Sequence, residues 1–422
     1  MPEIAAFKGI RYNPERVNLR DVITRIEHLS TGLHKHYHRS KHDLLCLMLG
    51  CEDEESRRRA RAIYRRWLKD GILVQDQPSI YVYYQQFDYE GTTFIRKGFI
   101  AATLVQPYGP GNLMPHEHIF PQGKEYHLRL MHTLQKNFEQ VFAIYEDEAN
   151  TVCPYLEPFT EGEPLAEITD EFDTTHRLWR IDDRAVQREV ADFMRGITGV
   201  IADGHHRYEA SLAYRKEMSQ KYNGPMDRAF NYRLIYFVRA SDPGLVILPT
   251  HRLLRPLSEN QLKTALDRAS QYFDITRISD GRELLAAVRN HMDTHAFGLY
   301  SRSGKYLLVL KDERIMDEIA QPGWSRDYRR LDVTILHTLL IQQVFDFRGV
   351  IGYQRYPERV FENVDTGKFD LGVLMNPTKP QEVIKVAMNG EKMPQKSTDF
   401  YPKLVTGLVS MDISPFERVV RL

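Results

Sequence analysis

The chain has 422 residues, 42% of them hydrophobic, so it can bury a sizeable core and is too long for a single ordinary one. Lysine plus arginine and aspartate plus glutamate both number 57, and the formal net charge is +0. The sequence has no basic tail or stripe of the kind that follows a phosphate backbone, which argues against nucleic acid as a partner. A folded protein of two or three lobes is therefore expected.

The cysteine content and the N-terminus bear on the compartment. Cys46, Cys51 and Cys153 are an odd number and lack the spacing of a metal site. This usage is typical of a reducing compartment and argues against a disulfide framework. The N-terminus shows no basic flank before an apolar stretch, and no run of about eighteen apolar residues occurs. A cytoplasmic protein without a membrane partner is the simplest interpretation.

Residues 1–152 are predicted to form a sheet-rich lobe. In residues 52–71 the acids come first, the bases later, and apolar residues recur at helical spacing, which predicts an amphipathic helix that stops at a glycine. Residues 72–108 then alternate apolar and polar side chains on either side of Glu90-Gly91, which is the pattern of a β-hairpin. Sheet structure is therefore expected to dominate the first part of the chain.

Two histidine-bearing segments lie in this lobe. Residues 34–42 carry alternate histidines but have few acidic and no cysteine partners, which favours a solvated polar loop over a metal site. Pro115-His-Glu-His118 lies between a predicted strand and a predicted helix, where loops tend to carry chemistry. Glu117 is therefore a candidate catalytic carboxylate, and a capping or ion-pair cluster is the alternative.

Residues 153–257 are predicted to form the core of the protein. An apolar run ends at Ala202, and a helix-forming run begins directly after Asp203-Gly204 and continues to about Tyr222, which predicts a strand, a tight turn and a helix. Asp203 suits the N-cap of this helix. Gly204 lets a ligand approach the backbone because it has no Cβ.

The first turn of that helix is a candidate phosphate site. His205, His206 and Arg207 fall where free N–H groups and the helix dipole favour anions. His251 and Arg252 follow at the end of a later predicted strand, one strand away from the turn, and are candidates for the same phosphate. The alternative is that they only cap the segment that follows them.

Residues 258–422 are predicted to form a C-terminal α+β lobe. Its last part carries a basic and hydroxyl-rich loop, Lys396-Ser-Thr398, with Lys403 close behind. These side chains suit phosphate, although the loop lacks the Gly-rich spacing of a Walker sequence, and a plain solvated loop is the alternative. The sequence shows no Walker sequence, dinucleotide fingerprint or internal repeat.

Four segments resemble those of a bacterial and archaeal family, the domain-of-unknown-function family 1015. They are IADGHHRYEAS at 201–211, LPTHRLL at 248–254, PHEH at 115–118 and MPQKSTDFYPKLVTGLV at 393–409. The resemblance runs through most of the chain and includes the His116-Glu117 pair, which strengthens the functional interpretation of that loop. It identifies a family without naming a reaction.

The Asp-Gly-His-His-Arg turn is also similar, more distantly, to the nucleotide-binding turn of the ParB/sulfiredoxin-like superfamily. That superfamily includes CTP-hydrolysing partition proteins, ATP-using sulfiredoxins and free-serine kinases with an Asp-Gly-His turn. The resemblance implies a mixed α/β (α+β) fold with a ParB/sulfiredoxin-like nucleotide-binding core and additional α+β lobes.

Two departures from these relatives matter. Sulfiredoxins need a cysteine at the position of His205, which argues against repair of oxidised peroxiredoxin. Residues 24–30 stand where family 1015 usually shows a Pro-Pro-Tyr-Asp segment. If that segment contacts substrate in relatives, the activity of this member is expected to be changed or lost.

The predicted function is a nucleotide-dependent phosphotransferase, a kinase, acting on a small hydroxyl metabolite, with serine as the analogy. Phosphoryl transfer needs positioning, cations for the transferred oxygens, and a carboxylate for the acceptor or Mg²⁺. By similarity to the serine kinases, Asp203 is the expected base or metal-facing carboxylate, with Glu117 and His205 as further catalytic residues. The predicted nucleotide-binding residues are Gly204, His206, Arg207, His251, Arg252, Lys396, Ser397 and Thr398.

The expected cofactor is a nucleoside triphosphate or diphosphate with Mg²⁺. The expected partners are this nucleotide and a small-molecule substrate, with a homodimer as an open option. One alternative is a nucleotide-binding or hydrolysing switch of the ParB type, in which the nucleotide changes a dimer. The other is a catalytically silent regulatory scaffold, which the altered segment at 24–30 favours, and in which Asp203 only caps its helix.

Overall fold

The computed structural model describes residues 2–25, 40–49, 53–117 and 121–422, apart from the side chains of 121 and 122, and helices and strands are interspersed along these ranges. Helix makes up 35% and strand 31%, which confirms the predicted mixed α/β class. None of the helices in these ranges is long and apolar enough to cross a membrane.

The helices are α1 (Leu44–Leu49), α2 (Glu54–Lys69), α3 (Pro121–Leu134), α4 (Cys153–Leu156), α5 (Arg184–Arg195), α6 (His205–Tyr222), α7 (Glu259–Ala269), α8 (Gly281–Arg289), α9 (Ile315–Ile319), α10 (Arg326–Arg329), α11 (Asp332–Ile335), α12 (Pro357–Asp365) and α13 (Pro380–Met388). Short 3₁₀ turns lie at Leu19–Asp21, Glu157–Thr160 and Ala229–Asn231, and a π-helical segment at Leu336–Val344 follows α11.

The strands are β1 (Ile4–Tyr12), β2 (Thr24–Arg25), β3 (Leu73–Tyr89), β4 (Thr92–Leu104), β5 (Leu113–Pro115), β6 (Lys136–Asn137), β7 (Val141–Tyr145), β8 (Ala166–Thr169), β9 (Thr175–Ile181), β10 (Gly199–Asp203), β11 (Tyr232–Arg239), β12 (Val246–Ile247), β13 (His251–Arg255), β14 (Phe273–Ile278), β15 (Ala296–Ser301), β16 (Lys305–Leu310), β17 (Val350–Gln354), β18 (Leu371–Met375), β19 (Phe400–Tyr401), β20 (Val405–Thr406), β21 (Ser410–Asp412) and β22 (Val420–Arg421).

The strongest local patterns are confirmed. β3 and β4 form the predicted hairpin, and both residues of its turn, Glu90 and Gly91, have positive φ values of 51° and 77°. Positive φ at both central residues is the turn geometry that matches the twist of paired strands. α2 begins with a capping box between Asp53 and Ser56, which satisfies two of the backbone donors at the helix start.

The described residues divide into two compact units. Unit 1 comprises the described residues of 1–115, 119–246 and 402–422, and unit 2 those of 116–118 and 247–401. This division differs from the predicted boundaries after residues 152 and 257. β7 and β11 lie on opposite sides of residue 152 but are hydrogen-bonded neighbours, so a boundary there would cut through one sheet.

Unit 1 is built on one large sheet with the strand order β5-β10-β7-β11-β4-β1-β3-β9-β8. Its core joins sheet residues such as Phe99 and Phe237 to Met194 of α5 and Tyr208 of α6. β10 lies parallel to β5 and antiparallel to β7, and its register with β7 shifts between Ile201 and Asp203. Such bulges re-aim side chains and are common beside functional sites.

Unit 2 contains a six-stranded sheet with the order β14-β16-β15-β18-β13-β17. Its core joins strand residues to buried residues of α8 and α12, among them Val288 and Val360. The segment after residue 330 forms α11 and the π-helical stretch. Four of its apolar side chains are buried there: Leu331, Ile335, Leu339 and Leu340.

The described part of the segment at 24–30 is anchored by a buried ion pair in unit 1. Arg25 Nη2 donates to Asp170 Oδ2 at 2.5 Å, and both side chains are 1% exposed. Burial lowers the pKa of His176, so its neutral ring accepts from the Tyr83 hydroxyl at Nδ1 and donates from Nε2 to Asp170. A buried carboxylate with these donors satisfies the charge of Arg25.

We expect Asp170→Asn to lower the free energy of unfolding by about 3–5 kcal/mol, because it leaves the Arg25 guanidinium buried without a countercharge. Asp173→Asn is the matched control, since Asp173 lies exposed on the same turn at a φ of 56° that Asn also tolerates. Urea denaturation of both variants measures the difference. Equal losses in the two variants would contradict the anchoring role of this ion pair.

Candidate functional site

The predicted strand, turn and helix around the Asp-Gly-His-His-Arg motif are confirmed, but the role of Asp203 at the junction differs. β10 ends at Asp203, Gly204 has a φ of 90°, and α6 begins at His205. Gly204 occupies the N-cap position, and no side chain in the described part of the chain caps this helix. The prediction that Asp203 is the N-cap is therefore wrong, because the β-bulge aims its carboxylate elsewhere.

The Asp203 carboxylate pairs with Arg207, one helical turn further along. Arg207 Nη2 donates to Asp203 Oδ2 at 3.0 Å, and Nη1 donates to Glu139 Oε1 at 3.1 Å. Among the described residues, the buried Nε of Arg207 has no hydrogen-bond partner. A Cβ at Gly204 would lie 2.7 Å from this Nε. Gly204 is thus required both by its positive φ and by the approach of Arg207.

Electrostatics fix the charge of Asp203. Burial by itself raises the pKa of its carboxyl group, but the positive charges of Lys403 and Arg207 outweigh burial and lower the pKa to about 2. The side chain is 37% exposed, so the carboxylate reaches solvent and stays ionised at neutral pH. It is therefore a permanent negative charge beside two cations.

Three further residues of this cluster were not predicted from the sequence. Glu139 is 11% exposed and holds the second amino group of Arg207. Burial, together with the charges of Arg207 and Arg233, lowers the pKa of His127 to about 4 despite the opposing charge of Glu139. Burial, with the charge of Arg207, lowers the pKa of Arg233 to about 9. No motif marks these positions, and only the pairing of α3, β7 and β11 with their neighbours brings them here.

The two histidines of the motif differ in exposure. His205 is 2% exposed and lies inside the protein. Its ring has almost no access to solvent, which argues against its predicted catalytic role. His206 is half-buried and faces α3, where a Cβ at Gly123 would lie 2.8 Å from its ring. Helix α3 therefore packs against the first turn of α6 through a glycine.

Unit 2 brings together the PHEH and Lys-Ser-Thr segments. His116 is buried, and its Nε2 lies 2.8 Å from Thr398 Oγ1. Glu117 forms a parallel backbone bridge with Met393, whose N–H donates to the His116 carbonyl. Lys396 is exposed and has a φ of 57°. His118 lies outside the described residues.

The structure argues against a phosphate-binding role for three residues of unit 2. Arg252 is 0% exposed, and its nitrogens donate to His337 Nε2 and to two backbone carbonyls, of Thr250 and Lys396. His251 is also buried, and burial lowers its pKa to about 3, so it carries no positive charge at neutral pH. Ser397 is buried, and its hydroxyl donates to the Pro394 carbonyl. Arg252 and Ser397 therefore donate their hydrogen bonds within unit 2, and His251 is buried there as a neutral ring.

Some predictions stay untested. Of the histidine tract, residues 34–39 lie outside the described residues, whereas His42 packs edge-on against Trp67 at 5.6 Å between ring centroids. Residues 26–30 also lie outside the described ranges. A shared role of the unit 1 and unit 2 groups in one nucleotide site stays a prediction.

We expect Gly204→Ala to destabilise the protein more than Gly71→Ala. Both glycines have a positive φ, 90° and 71°, at which alanine costs about 1–2 kcal/mol. Among the described atoms none lies within 4 Å of a Cβ at Gly71, whereas a Cβ at Gly204 meets the Arg207 guanidinium. Urea denaturation of both variants measures the loss of unfolding free energy. Equal losses would contradict the close approach of the Arg207 guanidinium to Gly204.

The lowered pKa of Asp203 predicts a pH dependence of stability. A carboxyl group whose pKa falls from 3.8 to about 2 on folding stabilises the protein above its ordinary pKa and loses this contribution as the pH falls through that window. The difference in melting temperature between wild type and Asp203→Asn should therefore be constant near neutral pH and shrink below 3.8. A difference that stays constant down to about pH 2 would contradict the ion pairs.

Comparison with solved structures gives weak likenesses. A conserved hypothetical protein from Pyrococcus furiosus has a TM-score of 0.30 at 12% identity, with 70% of this chain and 92% of that chain covered. A free serine kinase variant in complex with ADP has a TM-score of 0.33 at 11% identity, covering 72% and 89%. A C-terminally truncated SbnI from Staphylococcus aureus has a TM-score of 0.36 at 8% identity, with 74% of this chain and 87% of that chain covered. At these scores the likenesses carry no argument about fold or function.

A sequence comparison places the chain in a family. No curated protein matches it. The sequence profile of a family described as "Protein of unknown function (DUF1015)" matches residues 4–334, most of the chain. The matched range includes the Asp-Gly-His-His-Arg turn and the PHEH loop, as the resemblance of these motifs led us to expect. The distant relation to the ParB/sulfiredoxin-like superfamily stays a prediction. The chain therefore belongs to the DUF1015 family.

Proposed function

We propose that this protein is a nucleotide-dependent phosphotransferase acting on a small hydroxyl metabolite. The observation that carries the proposal is the Asp203 carboxylate, which pairs with Arg207 at the start of α6 and which the charges of Lys403 and Arg207 keep ionised. Phosphoryl transfer relies on positioning and on charges that stabilise the transferred group, and this cluster supplies charges of both signs. The nucleotide with Mg²⁺ would supply the phosphoryl group and its countercharge.

The start of α6 fits a phosphate group. α6 has 18 residues, and no described side chain caps its first turn, so the helix dipole favours an anion there. Gly204 has no Cβ in the path of a ligand. The buried Nε of Arg207, which has no hydrogen-bond partner among the described residues, is a further donor. In this proposal Gly204, His206 and Arg207 hold phosphate oxygens, and Lys403 adds a positive charge.

The chemistry of Asp203 favours one of its two predicted roles. A general base works best with a pKa near the working pH, and a pKa of about 2 is far below it. An ionised and partly exposed carboxylate is, however, a suitable ligand for Mg²⁺, which proteins usually hold through one or two carboxylates together with substrate phosphates. We therefore assign Asp203 to the metal-facing role and infer no strong base at this position.

The unit 2 residues that keep a place in the proposal are Glu117, Lys396 and Thr398, as an additional carboxylate and as phosphate contacts. Lys396 is exposed, and the Thr398 hydroxyl lies beside His116. A nucleotide switch and a silent scaffold are the competing functions. A cytoplasmic location and a homodimer remain proposals from the sequence.

The first test asks which nucleotide binds. We expect ATP, CTP or ADP to raise the melting temperature, with a larger rise when Mg²⁺ is present, because ligands that bind the folded state stabilise it. Turnover is then measured with a panel of small hydroxyl acceptors. If no nucleotide raises the melting temperature, the phosphotransferase and switch proposals both fail and the scaffold remains.

One variant with its control tests the nucleotide site, and a second variant separates the enzyme from the switch. Lys403→Met should weaken nucleotide binding by about 1.5–3 kcal/mol, because it removes a charge-assisted contact, whereas Lys385→Met on the exposed face of α13 should not. Asp203→Asn should keep nucleotide affinity in the absence of Mg²⁺ and lower turnover by about a hundredfold or more. Nucleotide binding without any phosphorylated acceptor, together with a silent Asp203→Asn, would leave the switch as the function.

A further inference from the structure

A histidine of unit 2 lies between two carboxylates. His295 Nδ1 lies 2.7 Å from Asp332 Oδ1, and His295 Nε2 lies 3.5 Å from Glu313 Oε2. A neutral imidazole carries a single N–H, so it can face one carboxylate with a donor but turns a lone pair towards the other. Only the protonated ring presents an N–H to both groups. The geometry of these three residues, the His295 cluster, therefore favours the imidazolium form.

The three residues come from three separate segments of the chain. His295 lies directly before β15, and its carbonyl accepts from the Leu310 N–H at the end of β16 at 2.9 Å, which fixes its backbone to the sheet. Glu313 lies two residues before α9, and Asp332 is the first residue of α11. The histidine thus connects the start of α9 and the start of α11 to the six-stranded sheet.

Helix α9 depends on charged contacts of this kind. Of its five residues, Met316 alone is buried. Arg330 Nη2 donates to Asp317 Oδ2 at 3.0 Å, and Arg330 Nε lies 3.1 Å from Glu313 Oε1. Arg329 forms a second ion pair with Asp317 at 3.1 Å. With so little apolar surface buried, the contacts of Glu313 and Asp317 are the main attachment of this helix.

A third carboxylate faces the cluster from α13. Glu382 accepts from the Lys379 N–H at 2.7 Å. Burial raises the pKa of its carboxyl group, and the charge of Asp332 acts in the same direction, whereas the charge of His295 opposes them. The other charged groups around the cluster are Arg326 and Arg330, which pair with Glu313, and Asp293, which pairs with Lys379.

The carboxylates decide the charge of the ring. Burial by itself lowers the pKa of His295, but Asp332 and Glu313 outweigh burial, and the pKa is raised above its ordinary value of 6.5. A histidine whose pKa rises on folding stabilises the folded arrangement below that ordinary value. This contribution is lost as the pH rises through the folded pKa.

We propose that the His295 cluster is a pH-sensitive switch that holds residues 312–320, which include α9, on the sheet of unit 2 while the ring is protonated, and releases them when it becomes neutral. The segment is therefore attached in mildly acidic solution and opens in mildly alkaline solution. The switch lies within unit 2 and is independent of the proposed nucleotide chemistry.

Hydrogen exchange of the full chain measures the opening of this segment. After correction for intrinsic exchange rates, the protection of residues 313–320 is divided by the protection of α7 in the same unit. We expect this ratio to fall by about threefold or more between about pH 6 and about pH 8. In His295→Gln, whose side chain takes up no proton, the ratio should be equal at both values. An equal fall in wild type and His295→Gln overturns the proposal.

Asp317→Asn is the matched control. Among the described residues the Asp317 carboxylate pairs with Arg329 and Arg330 and forms no ion pair with His295. This variant should lower the protection of the segment at both pH values and keep the fall between them. Loss of the fall would show that the arginine pairs are the pH-sensitive contacts, and the proposal would be wrong.

Glu382→Gln separates the imidazole from the neighbouring carboxyl group. It removes the third carboxylate and leaves Asp332 and Glu313 beside the ring, so the fall in protection should persist. If Glu382→Gln abolishes the fall and His295→Gln does not, the carboxyl group of α13 is the sensor and the role of His295 is refuted.

NMR of the ¹⁵N-histidine-labelled chain reports the charge of the ring itself. The His295 signals, assigned by their absence in His295→Gln, should titrate with a midpoint above 6.5, and a midpoint at or below 6.5 overturns the proposal. If His295→Gln does not fold, Glu313→Gln replaces it in the exchange experiment. Since this variant leaves one carboxylate at the ring, the fall in protection should be smaller than in wild type, and an undiminished fall overturns the proposal.

Discussion

A single guanidinium shared by two carboxylates holds the candidate site of unit 1 together. Arg207 lies between Asp203 and Glu139, which come from β10 and from the chain just before β7. The glycine between β10 and α6, the bulge in β10 and the first turn of α6 all serve this arrangement. Because Arg207 and Glu139 are mostly buried, loss of Arg207 would leave two carboxylates without their shared countercharge, so the arrangement depends on this guanidinium.

Buried arginines recur as structural centres elsewhere in the chain. Arg25, Arg96, Arg233 and Arg252 are each 4% exposed or less. Each is matched with a carboxylate, an amide or backbone carbonyls, which the planar fork of guanidinium N–H groups can satisfy at once. An arginine beside a motif is therefore weak support for a ligand contact in this protein, as Arg252 illustrates. The Arg252 guanidinium is hydrogen-bonded to groups of unit 2.

The low pKa of Asp203 limits the role that this carboxylate can have in the proposed phosphoryl transfer. A carboxylate that stays ionised beside Lys403 takes up protons poorly but suits a hard cation. The proposed contribution of this chain is thus to hold charges in place, which is the main requirement of phosphoryl transfer. Lys403 lies far along the chain from the Asp-Gly-His-His-Arg turn. In this proposal the position of its charge is as important for the site as the turn itself.

The sequence by itself determined what depends on near neighbours. The hairpin at Glu90-Gly91, α2 with its Asp53 cap and the strand-to-helix junction at Gly204 follow from turn residues and periodicity, which act within a few positions. Only the tertiary structure decided that Asp203 faces Arg207 rather than capping α6, and that Glu139, His127 and Lys403 join it. Those placements arise from strand pairing and burial across long stretches of chain, and no local pattern encodes which distant residue will supply a countercharge.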